Sequence, residues 1–142
     1  GRGKVAVDMQ GFVRVSDEGA MVFRDWVGKR EIVPAIHFLK ADAAEGAILT
    51  GESEPGCSAR ILHDWGANEV VLTHNGGVCV CAGDEVYQAP FTSRNLSGRT
   101  GRGDTCFGSY CARRFTHGPE DATRFAAALT SRKMEKRGPL TG

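Results

Sequence analysis

The sequence predicts an α/β fold, with helices covering a parallel or mixed sheet. Short runs of β-branched residues alternate along the chain with helix-like segments. The 142 residues, 41% of them hydrophobic, suffice to bury one domain's core. No internal repeat, low-complexity stretch or linker divides the chain, so a single unit over residues 1–142 is expected.

The elements follow in order. Lys4 to Asp8 is a short strand ending on a carboxylate, and Met9-Gln10-Gly11 is a turn. A hairpin is expected from Phe12 to Val15 and Ala20 to Arg24, across Asp17-Glu18-Gly19. Ala35 to Leu39 is another apolar run, ending beside Lys40 and Asp42. Ala-rich composition predicts a helix over Ala41 to Leu49, stopped near Gly51, and Ser58 to Trp65 predicts a second, stopped at Gly66. Glu69 to Thr73 is the clearest buried strand, and Val78 to Ala82 pairs with Val86 to Ala89 across Gly83-Asp84. Residues 92–103 read as loop. A helix follows from Asp104 to Phe115, and Pro119 opens the last one, with Glu120 and Asp121 in its positive first turn.

Composition narrows the function. Eighteen Lys+Arg against 17 Asp+Glu leave a net charge of +1, without the basic excess of a nucleic-acid binder. No apolar run approaches the ~20 residues of a membrane helix, so no membrane partner is expected. The start carries no secretion signal, and five Cys read as reduced thiols, which together predict a cytoplasmic protein. Cys79 and Cys81 share a strand face and read as core, whereas Cys106 falls in a helix's first turn, where a thiol becomes more acidic. The four His lack zinc spacing. Arg113, Arg114, Arg132 and Lys133 read as a solvated face. The chain opens with Gly1 and closes soon after a helix, so it is expected to be a segment of a longer protein.

Gly98-Arg99-Thr100-Gly101-Arg102-Gly103-Asp104-Thr105 is the segment that carries chemistry. Its glycines allow close backbone approach, and the helix beginning near Asp104 offers unpaired N–H groups and a positive dipole end to a phosphate. A carboxylate there suits a proton acceptor for an attacking hydroxyl, with the amides holding the transferring phosphoryl group. The simpler alternative is an N-capping Asp after a glycine turn.

The stretch GRTGRGDTCFGSY closely resembles the signature of ribokinase-type (PfkB) carbohydrate kinases, written DTxGAGDxFxxG. Three further likenesses occur in the family's order. Asp8-Met9-Gln10-Gly11 through Arg14 resembles its strand-end Asp-x-Asn/Gln with a following Arg, and Asp42-Ala43-Ala44-Glu45 resembles its Asn-x-x-Glu. Thr73-His74-Asn75-Gly76-Gly77 resembles its Thr-x-Gly-x-x-Gly turn, one residue shorter. The resemblance implies a three-layer αβα fold with a mostly parallel sheet of the ribokinase-like type, lacking the N-terminal half and lid.

It also implies a kinase that moves the γ-phosphoryl group of ATP, with Mg²⁺, to a hydroxyl of a sugar, polyol or nucleoside. Asp104 would be the general base, and the backbone amides of Gly101, Arg102 and Gly103 the anion hole. Glu45 would hold Mg²⁺ through water. Asp42 would either draw the metal closer or cap the following helix. Thr73, Asn75, Gly76, Gly77 and Thr100 would line the nucleotide site, with adenine between the turn and the last helix near Ala127 and Thr130. Arg102 would reach the phosphates or point to solvent. Gly98 replaces the Asp that opens the signature, so potassium activation is not implied. A homodimer is the family's precedent for the full-length parent. The competing reading is a truncated nucleotide-binding or regulatory module without turnover.

Overall fold

The computed structural model describes residues 5–9, 14–17, 20–23, 29–91 and 102–136, with backbone alone at 14–17, 20–23, 29–30, 102–104 and 133–136. Seven strands are described: β1 (Ala6–Asp8), β2 (Arg14–Asp17), β3 (Ala20–Phe23), β4 (Phe38–Asp42), β5 (Glu69–His74), β6 (Gly77–Ala82) and β7 (Glu85–Pro90). The helices are α1 (Lys29–Ile32), α2 (Ala43–Thr50), α3 (Pro55–Asp64), α4 (Arg102–Arg114) and α5 (Pro119–Lys136).

Strands β2 and β3 pair as the expected antiparallel hairpin. The main sheet has the order β1-β4-β5-β6-β7. Its β1–β4 and β4–β5 pairings are parallel, and β5–β6 and β6–β7 are antiparallel. The expectation of a mostly parallel sheet therefore holds on one side and gives way to a meander on the other. The cause is connection length. Helices α2 and α3 separate β4 from β5, which allows a parallel crossover, whereas two-residue turns join β5 to β6 and β6 to β7.

Strand alternation sends side chains to two helical layers. Leu39, Ala41, Val70, Leu72, Cys79 and Cys81 pack on one face with Leu49, Ala59 and Leu62 of α2 and α3. Phe38, Val71, Val78 and Val80 pack on the other with Cys106 and Tyr110 of α4 and Ala122, Ala126 and Ala127 of α5. This is the three-layer αβα arrangement.

Element boundaries shift for local reasons. Helix α3 starts at Pro55, three residues earlier than expected, because the Glu54 carboxylate accepts from the Cys57 N–H at 2.7 Å and proline suits the first helical position. Residues 33–35 form a 3₁₀ turn containing Pro34, which delays β4 to Phe38. Gly51 ends α2 in the left-handed region, at φ +82°, where its N–H donates to the Ala47 carbonyl.

Candidate functional site

Two of the motif segments, 42–45 and 73–76, come together where β4 and β5 end. Asp42 closes β4 and lies in register with Thr73 of β5. Its carboxylate accepts from the Glu45 N–H at 2.8 Å, while Glu45 Oε1 accepts from the Asp42 N–H at 2.8 Å. This capping box starts α2 and satisfies two backbone donors that a helix end otherwise leaves open. Capping, one of the two roles open to Asp42, is thus observed.

On the other side of the site, the turn after β5 is held by His74 Nδ1, which accepts from the Gly76 N–H at 3.1 Å. Asp42, Ala43, Ala44, Thr73, His74, Asn75 and Gly76 line an open cleft of about 460 Å³. Glu45, in the first turn of α2, is 1% exposed.

Helix α4 runs antiparallel to β4 and β5, as its contacts fix. Tyr110 stacks edge-on against Phe38 at the start of β4, with ring centroids 6.2 Å apart. Its hydroxyl donates to Glu69 Oε1 at the start of β5, at 2.5 Å. Arg114 forks onto the same carboxylate, with Nη2 at 2.6 Å from Oε2 and Nε at 3.0 Å from Oε1. At about 1.5 Å per helical residue, the first turn of α4 lies roughly 9–12 Å from Tyr110 toward the strand ends. That turn contains Arg102, Gly103 and Asp104, so the helix N-terminus and the cleft share one edge of the sheet.

Some expected site residues fall outside the described residues, and others are placed away from the cleft. Thr100 and Gly101 are outside the described residues. Gly77 is buried in β6, where an added Cβ would stand 2.3 Å from the Ala89 carbonyl oxygen, so strand packing accounts for this glycine. Ala127 and Thr130 sit within the α5 side of the core, and the Thr130 hydroxyl donates to the Ala126 carbonyl at 2.7 Å. Neither lines the cleft. Arg114 is not part of a solvated face, because Glu69, 45 residues away in sequence, draws it inward. Cys106 is buried. Among the described residues no group of three or more His, Cys, Asp or Glu side chains is placed to hold a metal.

Sequence reading passed over one residue. Lys40, two positions before Asp42 on β4, is 5% exposed; its carbonyl accepts from the Met9 N–H at 2.8 Å, and its ammonium makes no hydrogen bond or ion pair with any described residue. Thr73, 1% exposed, likewise has no hydroxyl partner among them. The available signal was a lysine inside an apolar strand run, a place where a charge normally needs a partner.

No protein-family model matches the chain. A cytidine kinase from Thermococcus kodakarensis is 35% identical over 86 residues, 58% of this chain and 31% of that protein. A pyrophosphate-dependent kinase of the ribokinase family, solved with a pyrophosphate analogue and myo-inositol, is 41% identical with a TM-score of 0.90, over 96% of this chain and 50% of that one. Ribokinase from Thermotoga maritima has a TM-score of 0.70 at 19% identity, over 96% of this chain and 44% of that one, which is a likeness of fold. The chain spans half or less of the length of each of these relatives.

Proposed function

Because the chain belongs to the ribokinase-type (PfkB) family of kinases, we propose that it forms the donor-phosphate side of a small-molecule kinase. The reaction moves a phosphoryl group from a phosphoanhydride donor to a hydroxyl of a polyol, sugar or nucleoside. The observation that carries this reading is the cleft shared by the β4–α2 junction and the β5–β6 turn at the strand ends, toward which helix α4 runs back from its Tyr110 contact with Phe38.

In this reading, the first-turn amides of α4 hold the transferring phosphoryl group, where unpaired N–H groups and the helix dipole favour negative charge. Asp104 takes the proton from the attacking hydroxyl, late in a loose transition state, so an acidic carboxylate suffices. Asp42 and Glu45 fit a hydrated Mg²⁺, which keeps most of its waters and needs only one or two carboxylates beside phosphates. Bound there, the ion would neutralise donor charge. The acceptor would be a small molecule, and no helix among the described residues is long and apolar enough to cross a membrane. A cytoplasmic setting is part of the same proposal.

ATP is the donor implied by the likeness of the β5–β6 turn. Two observations favour pyrophosphate instead. Ala127 and Thr130, the expected adenine neighbours, are buried in the core, and relatives at 41% identity are pyrophosphate-dependent. The test is a thermal-shift titration of this chain with Mg²⁺ and either pyrophosphate or ATP. Ligand at a hundredfold excess over its dissociation constant adds about 2.7 kcal/mol. A larger rise with pyrophosphate supports the first donor, and a larger rise with ATP the second. No rise with either overturns the reading. Transfer to myo-inositol or cytidine that disappears in Asp104→Asn, with donor binding retained, would support Asp104 as the base. Donor binding without any transfer would favour the regulatory module.

A further inference from the structure

We propose that the outer edge of β7 is an interface for a second copy of this chain, whose own β7 adds antiparallel to the first and joins the two sheets into one. This inference stands apart from the kinase reading.

Among the described residues, β7 is the last strand of the main sheet. The Phe91 N–H donates to the Gly76 carbonyl at 3.0 Å, and bonded pairs alternate with non-bonded ones along an antiparallel ladder. In the β6–β7 register, Ala89, Tyr87 and Glu85 therefore bond inward, and Val86, Gln88 and Pro90 turn their backbone groups outward. An open edge of this kind is a template for another strand, and proteins usually blunt it with lysine, a bulge or proline. Residues 85–90 carry no lysine and pair with β6 without a bulge, and Pro90 stands only at the far end.

A second copy suits this edge because the edge is complementary to itself. A two-fold axis at Tyr87 sets Val86 of each strand opposite Gln88 of the other, and each such pair exchanges two hydrogen bonds. Pro90, which has no N–H to give, then falls opposite Asp84 in the turn, outside those bonds. The helical layer fits the same axis. Helix α5 packs over both β6 and β7. With strands about 4.8 Å apart, the two copies of α5 would lie roughly 10 Å from each other, the spacing of packed helices. Val86, Tyr87 and Gln88 line one hollow of about 200 Å³ with Glu120, Thr123 and Arg124, so an axis at Tyr87 passes beside residues 120–124. Glu120 and Arg124 form an ion pair at 2.7 Å with both side chains exposed. The axis brings Glu120 of each helix beside Arg124 of the other, and the two pairs close a ring of alternating charge.

The test is sedimentation equilibrium of this chain, with hydrogen exchange of the β7 amides followed as concentration rises. Wild type is expected to dimerise reversibly, with the Val86 and Gln88 amides gaining protection and the Tyr87 amide, bonded to β6 in either state, unchanged. Arg124→Glu turns the ring into four like charges and is expected to raise the dissociation constant more than about tenfold. Adding Glu120→Arg to it restores the alternation and should bring the constant back to within about threefold of wild type. Recovery in the double variant supports the ring, because a merely structural role for Arg124 would not be rescued by a second reversal. A wild-type chain that stays monomeric up to about 100 µM overturns the inference. A dimer indifferent to Arg124→Glu, or one whose protection falls away from Val86 and Gln88, also overturns it, by assigning the contact to another surface.

Discussion

Along helix α4, the two ends of strands β4 and β5 are built on opposite terms. At the start of β5, Glu69 is 3% exposed, yet its carboxylate accepts from the Tyr110 hydroxyl and from two nitrogens of Arg114. Arg114 also donates through Nη1 to the His117 carbonyl at 3.0 Å. At the other end, Lys40 and Thr73 are as deeply buried and have no such partners. The neighbouring strands thus close their polar account at one end and leave it open at the other. Saturated buried networks fix structure, whereas unsatisfied ones mark where a ligand completes the set.

The largest effect that sharpens this contrast is expected from Glu69→Ala. It strands the Arg114 guanidinium and the Tyr110 hydroxyl, and loss of one partner from a buried ionic network typically costs about 3–5 kcal/mol. Urea denaturation should show the midpoint falling accordingly, and a change under about 1 kcal/mol would reduce the network to a surface ion pair.

A matched pair of hydroxyl deletions follows. Tyr110→Phe removes a satisfied group and should destabilise the fold by about 1–2 kcal/mol. Thr73→Val removes an unsatisfied one with nearly the same shape and should leave apo stability unchanged or slightly higher. Equal losses in the two variants would erase the distinction between the ends.

The smallest effect concerns alkaline pH. Burial pushes the Cys79 thiol from 9.0 up to about 12, and the Cys111 thiol, helped by the Glu69 charge, up to about 11. The folded chain keeps protons that the unfolded chain releases near pH 9, so this contribution is fully present below pH 9 and is lost as pH rises toward 11–12. Chemical denaturation at pH 7, 9 and 10.5 should therefore trace a decline above pH 9 that Cys79→Ala flattens. A decline of equal slope in the variant would assign it to other groups.

Much of the cleft end was legible in the sequence because its residues work at short range. The capping box needs only the Asp42–Glu45 spacing, and the turn lies within residues 73–77. The parallel part of the sheet was legible for the same reason, through helix-like segments between strands. The saturated end was not. Glu69 and Arg114 stand 45 residues apart, and nothing local in Arg113-Arg114 says which arginine turns inward. Ala127 and Thr130 were expected beside a ligand by family likeness, but on α5 they fall on the stripe that faces the sheet. Lys40 escaped notice because a lysine near a strand end reads as a solvent-facing stop until the burial of its neighbours is known.

The central claim, that the open end of β5 and α4 is a phosphate site, is tested most directly by titrating the isotope-labelled chain with magnesium pyrophosphate and following its backbone amides by NMR. The expected result is saturable shifts at Asp42–Glu45, Thr73–Gly76 and residues 102–104, with Glu69, Tyr110 and Arg114 unmoved. Shifts centred on the Glu69 network, or no saturable shift at the cleft, would contradict it.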